Sequence, residues 1–426
     1  MIKRASILLA GLLLATGISF GQASLADDMF NNFEFEQAIK FYESDESALS
    51  NEQWAKLAFS YYSINDFSTA EQLYAKVVEM PYMLKRNNLY YAVCLKNNGK
   101  FEKAKEQLEV YRAIDSTDHL VKETERSIQF LEAKKEEELE YEVVNLRDLN
   151  SGAGQFSPVF YKEGILFAGE VDQDAKRRPH IEFRNDFQDS SALDYGMNDR
   201  PLVELMFAPV ENGEVGQAEP FRWSEKFHFG SFALDPVNNE IIFTKMDLSH
   251  SWNANLRRHP RLFHLPIDGE TKVKKAEHLK MKKLNNEWGS GHPALTSDGK
   301  VMIFSSDMPD GHGGSDLYYS VRNDDGSWGE PVNLGPEVNT EGDELFPVIY
   351  NDSRLYFATN GRPGFGGLDI FKADLREGKS VSNIKILDEP FNSSADDYGI
   401  ALDPENEKFG FITSNRFGGR GDDDLF

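Results

Sequence analysis

Three copies of one strand-and-turn cassette occupy the end of this chain. They run from His292 to Ser320 (HPALTSDGKVMIFSSDMPDGHGGSDLYYS), Phe346 to Ala373 (FPVIYNDSRLYFATNGRPGFGGLDIFKA) and Tyr398 to Phe426 (YGIALDPENEKFGFITSNRFGGRGDDDLF). Aligned on Ser306, Asn360 and Asn415, the copies are 54 and 55 residues apart. A repeat of this period sets the architecture before any residue is given chemistry. Each copy reads as a strand, a tight turn, a second strand, a glycine loop and a third strand. Residues Trp328 to Leu334 open an outer fourth strand. The turns Ser297-Asp298-Gly299, Asn351-Asp352-Ser353 and Asp403-Pro404-Glu405-Asn406 carry the residues that turn chemistry favours. Weaker copies begin at Ser157 and Phe232. Four strands per repeat is the pattern of a β-propeller blade, and about six blades are expected, with five as the alternative. The segment Tyr141 to Leu149 (YEVVNLRDL) matches the outer strand and would close the ring from the N-terminal side.

The 426 residues suggest two or three domains. Residues 1–21 read as a secretory leader, with Lys3 and Arg4 ahead of the apolar run Ile7 to Phe20 and small residues Ser19 and Gly21 before the cleavage point. That run is short for a membrane span. From 22 to 140 the apolar spacing is helical and glycine is nearly absent. Two segments, Asn51 to Pro81 and Leu84 to Ile114, align at 34 residues, matching Ala58 with Ala92 and Ala70 with Ala104. They resemble the tetratricopeptide repeat, with Phe33 to Tyr42 as part of an earlier repeat and Thr117 to Leu139 as a closing helix pair. The expected fold is therefore α + β multidomain: a tetratricopeptide-repeat solenoid over 22–140, then an all-β propeller over 141–426. The charged stretch Ala133 to Glu142 marks the boundary, and Val171 to Arg200 reads as a surface insertion.

Little in the sequence points to catalysis. It contains neither a Gly-x-Ser-x-Gly elbow nor a His-Glu-x-x-His pair. The glycine loops precede strands rather than helices, so turn geometry explains them better than phosphate binding. Asp316, Asp369 and Asp424 are expected to cap the loop amides, the alternative being calcium ligation, best placed at Gly421 to Asp424. His292 takes the place that Phe346 and Tyr398 hold in the other copies, so a packing role is expected for it. Carboxylates at the propeller pore, as in propeller glycosidases, are not singled out among 71 acidic residues. Arg420-Gly421-Asp422 lies inside the repeat and reads as a turn, and the single cysteine, Cys94, as a core thiol. Neither cofactor nor metal nor catalytic residue is expected. A net charge of −25 argues against nucleic acid and anionic lipid as partners. Partner binding is expected on the groove of the helical domain, at Glu52, Ala55, Phe59, Tyr62, Ser63, Arg86, Leu89, Val93, Lys96 and Asn97.

The elements NGRPGFGGLDIF and SDMPDGHGGSDLYY are similar to the TolB-type propeller repeat of bacterial envelope proteins. Leader, tetratricopeptide repeats and this propeller, in that order, resemble the OmpA-family envelope proteins of Bacteroidetes, which include PorE-like proteins and partners of PorP/SprF-type barrels. The resemblance implies a periplasmic, non-catalytic scaffold associated with the outer membrane, bound to a barrel protein or to subunits of a type IX secretion or gliding-motility complex. It further implies that the natural protein extends beyond Phe426 to a peptidoglycan-binding domain. The alternative is a periplasmic propeller enzyme acting on carbohydrate or peptide, or a ligand-sensing propeller.

Overall fold

The computed structural model describes residues 25–32, 34–134, 141–150, 154–170, 203–221, 229–246, 260–267, 277–279, 281, 288–420 and 423–426. The leader and the insertion at 171–200 lie outside the described residues. Two compact units divide between Glu136 and Glu137.

The first unit is helical. A helical segment at 25–31 precedes α1 (Phe35–Glu43), α2 (Asn51–Ser63), α3 (Phe67–Val77), α4 (Arg86–Asn97), α5 (Phe101–Arg112) and α6 (His119–Ala133). Helix starts are fixed locally. Ser50 and Gln53 form a reciprocal capping box on α2, while Asp66 and Asp118 accept from Thr69 N and Leu120 N. Ala58, Ala70, Ala92 and Ala104 are fully buried, so neighbouring helices approach closely with Tyr42, Tyr74 and Leu95 filling the space around them. The closing helix pair expected over Thr117 to Leu139 is corrected. One helix, α6, lies there among the described residues, and its Val121 and Ile128 pack against Leu89 of α4.

The second unit is a ring of five sheets, not six. Blade 1 holds β1 (Gln155–Tyr161), β2 (Gly164–Glu170), β3 (Val203–Glu211), β4 (Glu214–Val215) and β5 (Glu219–Pro220). Blade 2 is β6 (Phe232–Asp235), β7 (Glu240–Met246), β8 (Pro260–Pro266) and β9 (Glu277–His278). Blade 3 is β10 (Ser290–Leu295), β11 (Val301–Ser306), β12 (Asp316–Val321) and β13 (Val332–Asn333). Blade 4 is β14 (Glu344–Tyr350), β15 (Arg354–Thr359), β16 (Asp369–Arg376) and β17 (Ser380–Ile386), and blade 5 is β18 (Asp397–Leu402), β19 (Gly410–Ser414) and β20 (Asp424–Leu425).

The second strand of each blade shows why these residues make a ring. Alternate side chains of a strand face opposite sides, and at the middle of these strands both sides are buried, so the central residues are apolar on both faces. Leu166 packs into the core between blades 1 and 2, while its neighbours Ile165 and Phe167 pack between blades 5 and 1. Ile303 serves the core of blades 3 and 4, and Met302 and Phe304 that of blades 2 and 3. Tyr356 and Ile412 share the core of blades 4 and 5. These five cores close on themselves.

Blade 5 has three strands of its own, and the fourth place goes to the chain before β1. Leu146 N donates to Leu425 O at 3.1 Å, and the buried Asn150 grips the same residue at both backbone groups, 2.8 Å to its carbonyl and 2.9 Å from its amide. Asn339 holds Leu317 and Asn392 holds Ile370 in the same way. Segment 141–150 thus completes a blade already counted, which is why the expectation of six fails. The register also differs from the sequence alignment. The ladder sets Ser306 opposite Asp316, Thr359 opposite Asp369 and Ser414 opposite Asp424, one residue earlier than Asn360 and Asn415 in two of the copies.

Candidate functional site

The glycine-loop aspartates serve the loops. Asp316 accepts from His312 N at 2.7 Å and Gly313 N at 3.3 Å, Asp369 from Phe365 N and Gly366 N at 2.9 and 3.2 Å, and Asp424 from Arg420 N at 2.5 Å. Gly421 and Asp422, part of the calcium candidate and of the Arg-Gly-Asp tripeptide, lie outside the described residues. Among the described residues no group of three or more His, Cys, Asp or Glu is placed to hold a metal ion.

The groove residues are only partly available. Glu52 and Arg86 are exposed, and Ala55, Phe59, Tyr62, Ser63 and Asn97 are half-buried. Phe59 packs edge-on to Phe30, Phe35 and Tyr90 and stacks on Tyr62. Leu89, Val93 and Lys96 are buried, and their expected place on an open groove is corrected. Leu89 faces α6, which covers that side of α4. Cys94 is buried in the helical core, where loss of hydration pushes its thiol well above the usual range.

Sequence reasoning aligned His292, Phe346 and Tyr398 but did not place them at the propeller axis, and it missed Ser157 and Ser231 there. The innermost strands of four blades break register at one place: between Phe156 and Val159, Gly291 and Ala294, Leu345 and Val348, and Tyr398 and Ala401. Such bulges bend a strand and re-aim its side chains. The first bulged residue is left-handed each time: Ser157 (φ 55°), His292 (φ 52°), Phe346 (φ 49°) and Gly399 (φ 58°). A Cβ on Gly399 would stand 2.9 Å from Thr413 Oγ1, so this blade needs glycine, and Tyr398 supplies the ring from the preceding position. Blade 2 contributes Ser231.

Contacts run from blade to blade around the axis. Ser231 Oγ lies 2.9 Å from His292 Nδ1 and 3.2 Å from Thr244 Oγ1. The His292 ring meets Phe346 edge-on at 4.0 Å, and Phe346 stacks on Tyr398 at 4.3 Å. His292 N and Ser157 N donate to Thr244 Oγ1 and Thr413 Oγ1 at 3.0 and 3.1 Å. One half of the ring is therefore hydroxyl and imidazole, and the other half is aromatic. Ser157 is 6% exposed, and its Oγ has no hydrogen-bond partner among the described residues. The expected packing role of His292 is seen in its contact with Phe346, joined by the bond to Ser231.

Burial pulls the His292 imidazole down to about 4, so it is neutral at physiological pH. A neutral imidazole has one donor and one acceptor nitrogen. Nδ1 serves Ser231, and Nε2 has no partner among the described residues. Burial, and then the Asp423 carboxylate, push the Tyr398 phenol well above its usual range.

The His292 pKa has a consequence for stability. Between the ordinary value of about 6.5 and the folded value, the unfolded chain takes up a proton that the folded one does not. Its contribution is complete above pH 6.5 and falls as the pH drops towards 4, by up to about 3 kcal/mol. Thermal unfolding at pH 7.5 and 4.5 should show the propeller losing more stability in the wild type than in His292→Phe. Equal losses in both would contradict the assigned pKa.

Neither a protein-family description nor a curated protein matches this sequence. Solved structures do match. A glycosyl hydrolase from Bacteroides ovatus aligns at 11% identity over 64% of this chain and 83% of that one, with a TM-score of 0.36. An α-L-arabinofuranosidase from Lactobacillus brevis aligns at 12% over 64% and 86%, TM-score 0.38. A puromycin hydrolase S511A mutant complexed with PGG aligns at 12% over 65% of this chain and 44% of that one, TM-score 0.32, so this chain spans less than half its length. These neighbours are enzymes. On that finding the expectation of a non-catalytic scaffold for an outer-membrane complex is corrected and set aside, together with the expectation that the chain is not an enzyme. At these identities the neighbours' substrates and reactions stay their own.

Proposed function

We propose that the propeller takes an uncharged carbohydrate or peptide at the axial ring and acts on it there, with His292 as the proton-exchanging group. Ser157 carries this reading: a left-handed backbone at φ 55°, a buried position and a hydroxyl with no partner among the described residues. Most buried hydroxyls in native folds are hydrogen-bonded, so the Ser157 hydroxyl is free to bond a ligand group at the ring. A few convergent polar groups beside aromatic faces are also the make-up of small-molecule sites. With His292 neutral, Ser157, Ser231, His292, Phe346 and Tyr398 carry no charge themselves and the Asp423 carboxylate beside Tyr398 is a nearby negative charge, which favours an uncharged ligand over an anionic one.

Glycoside chemistry by two carboxylates would have to draw on the buried acids of the innermost strands, which among the described residues are Asp235, Glu344 and Asp397. All three are engaged. Asp235 is paired with Arg322. Glu344 accepts from Thr340 N, Thr340 Oγ1 and Thr359 Oγ1, at 2.9, 2.5 and 2.8 Å, and Asp397 is paired with Arg416. Proton exchange through a neutral imidazole is what the ring offers instead. We read the helical unit as a tetratricopeptide-type array on its buried crossing alanines. The leader-like residues 1–21 support a location outside the cytoplasm.

Thermal shift against neutral oligosaccharides and short peptides, with chromophoric glycosides, esters and anilides for turnover, tests the site. At least one class should bind, and Ser157→Ala and His292→Phe should each weaken it about tenfold, the loss of one hydrogen bond. Silence across the panel, or binding indifferent to both variants, overturns the reading.

A further inference from the structure

The helical unit carries large apolar side chains in full view of solvent. Tyr82 is fully exposed and Leu84 is 76% exposed, both in the loop that joins α3 to α4. Ile114, 63% exposed, lies in the loop that follows α5, and Val110 stands in the last turn of that helix. Arg86 ties the two loops together. Its Nη2 is 3.8 Å from Asp118 Oδ2, and its Nε donates to Tyr90 OH at 3.0 Å.

The tip of the first loop is held in place. Asn51 Nδ2 donates to Pro81 O at 3.3 Å, and Asn87 N to Leu84 O at 3.0 Å. Tyr82 sits at φ 64°, a region that a bulky residue enters only at a cost. Strain of this kind, about 1–3 kcal/mol, persists where the surroundings impose it and collects at functional positions. Here it directs a phenol ring outward with no intramolecular contact to account for it.

Lys85, exposed, and Arg86 follow the apolar tip directly. The acids nearby are Glu79, Asp115 and Asp118, of which Asp118 is engaged by Arg86 and Tyr111. A convex tip of tyrosine and leucine with lysine and arginine behind it has the composition of interfacial membrane anchors, where the ring sits at headgroup level and the cations meet anionic lipid. The net charge of −25 does not forbid this, because charges beyond about 8 Å are screened at physiological ionic strength.

We propose that this loop edge inserts Tyr82 and Leu84 into an anionic bilayer surface, with Lys85 and Arg86 on the headgroups. Lipid is favoured over a protein pocket because the edge protrudes and couples its apolar residues to cations.

The experiment is cosedimentation of the full chain at 0.15 M salt with vesicles of phosphatidylethanolamine and phosphatidylglycerol, and with phosphatidylcholine vesicles as the neutral reference. The chain should bind the anionic vesicles. Tyr82→Ser/Leu84→Ser should lower that binding at least about tenfold, and Lys85→Glu about fivefold or more. Tyr82→Gly gives a readout that misfolding cannot mimic: it relieves the left-handed strain, so thermal stability should hold or rise while vesicle binding falls. Failure to bind anionic vesicles overturns the proposal and leaves the edge to a protein partner. Binding that survives the double substitution also overturns it.

Discussion

Replacing Asn150 by alanine should destabilise the propeller by about 3 kcal/mol, or about 6–12 °C in Tm for a unit of this size. The side chain reaches Leu425 O at 2.8 Å, accepts from Leu425 N at 2.9 Å, and also touches Asn145 Oδ1 at 3.2 Å. Leu425 is fully buried, so removing the amide strands an N–H away from water. A buried donor left without a partner costs its full desolvation, about 1–3 kcal/mol, and the vacated space adds to that. Position sharpens the prediction. Asn339 makes the same two bonds to Leu317, but inside blade 3, where the chain runs on continuously. Asn150 makes them across the seam between the start and the end of the ring. Both alanine variants should lose similar equilibrium stability. Only Asn150→Ala should raise hydrogen exchange selectively at residues 146–150 and 423–426, because the seam can open without unfolding a blade. Uniform exchange in the two variants would show that the seam is no weaker than the rest of the ring.

The seam also shows what the sequence could and could not reveal. YEVVNLRDL was readable as an outer strand because its Val144-Asn145-Leu146 repeats the Val332-Asn333-Leu334 of blade 3. Asn145 and Asn333 indeed bind the equivalent Asp424 and Asp316, at 2.8 and 2.7 Å. Which blade that strand completes depends on a pairing across more than 270 residues, which local pattern does not encode. The loop aspartates were legible for the opposite reason, since their partners lie three and four residues away. The axial ring was half visible. Ser157, His292 and Phe346 each precede a proline at the same offset in their cassettes, a signal that could have marked the bulge. Its meaning was hidden because a skipped register moves a residue from one face to another without changing the alternation of the strand. Tyr398 and Gly399 illustrate the slip: the sequence aligns the aromatic residue with Phe346, while the backbone aligns the glycine. In the helices, the three-and-four spacing gave the elements, but whether Leu89 faces a groove or a neighbour is decided by α6.

The largest single-residue effect should come from the Asp397–Arg416 pair. Arg416 Nη2 donates to Asp397 Oδ1 at 2.6 Å and to Phe391 O at 2.9 Å, Nη1 donates to Pro390 O at 3.1 Å, and the guanidinium lies 4.9 Å over the Phe426 ring. The Asp397 side chain is entirely buried. Arg416→Met leaves that carboxylate without its counter-charge, and breaking a buried pair from one side costs about 3–5 kcal/mol. Burial already holds the Asp397 carboxyl above its usual value, with Arg416 and the Ser393 and Ser414 hydroxyls acting against it. A carboxyl raised in the fold keeps a proton that the unfolded chain has lost. Its contribution is therefore complete at low pH and disappears as the pH rises through the folded value. Removing Arg416 lifts that value further, so the deficit of Arg416→Met should be largest near pH 7.5 and shrink towards pH 5, as the carboxyl protonates and the stranded charge vanishes. Asp397→Asn in the same background removes the charge altogether, and the double variant should recover more than half of the loss at pH 7.5. Additive single effects in this cycle, or a pH-independent deficit, would mean that Arg416 holds this corner through its carbonyl and ring contacts alone.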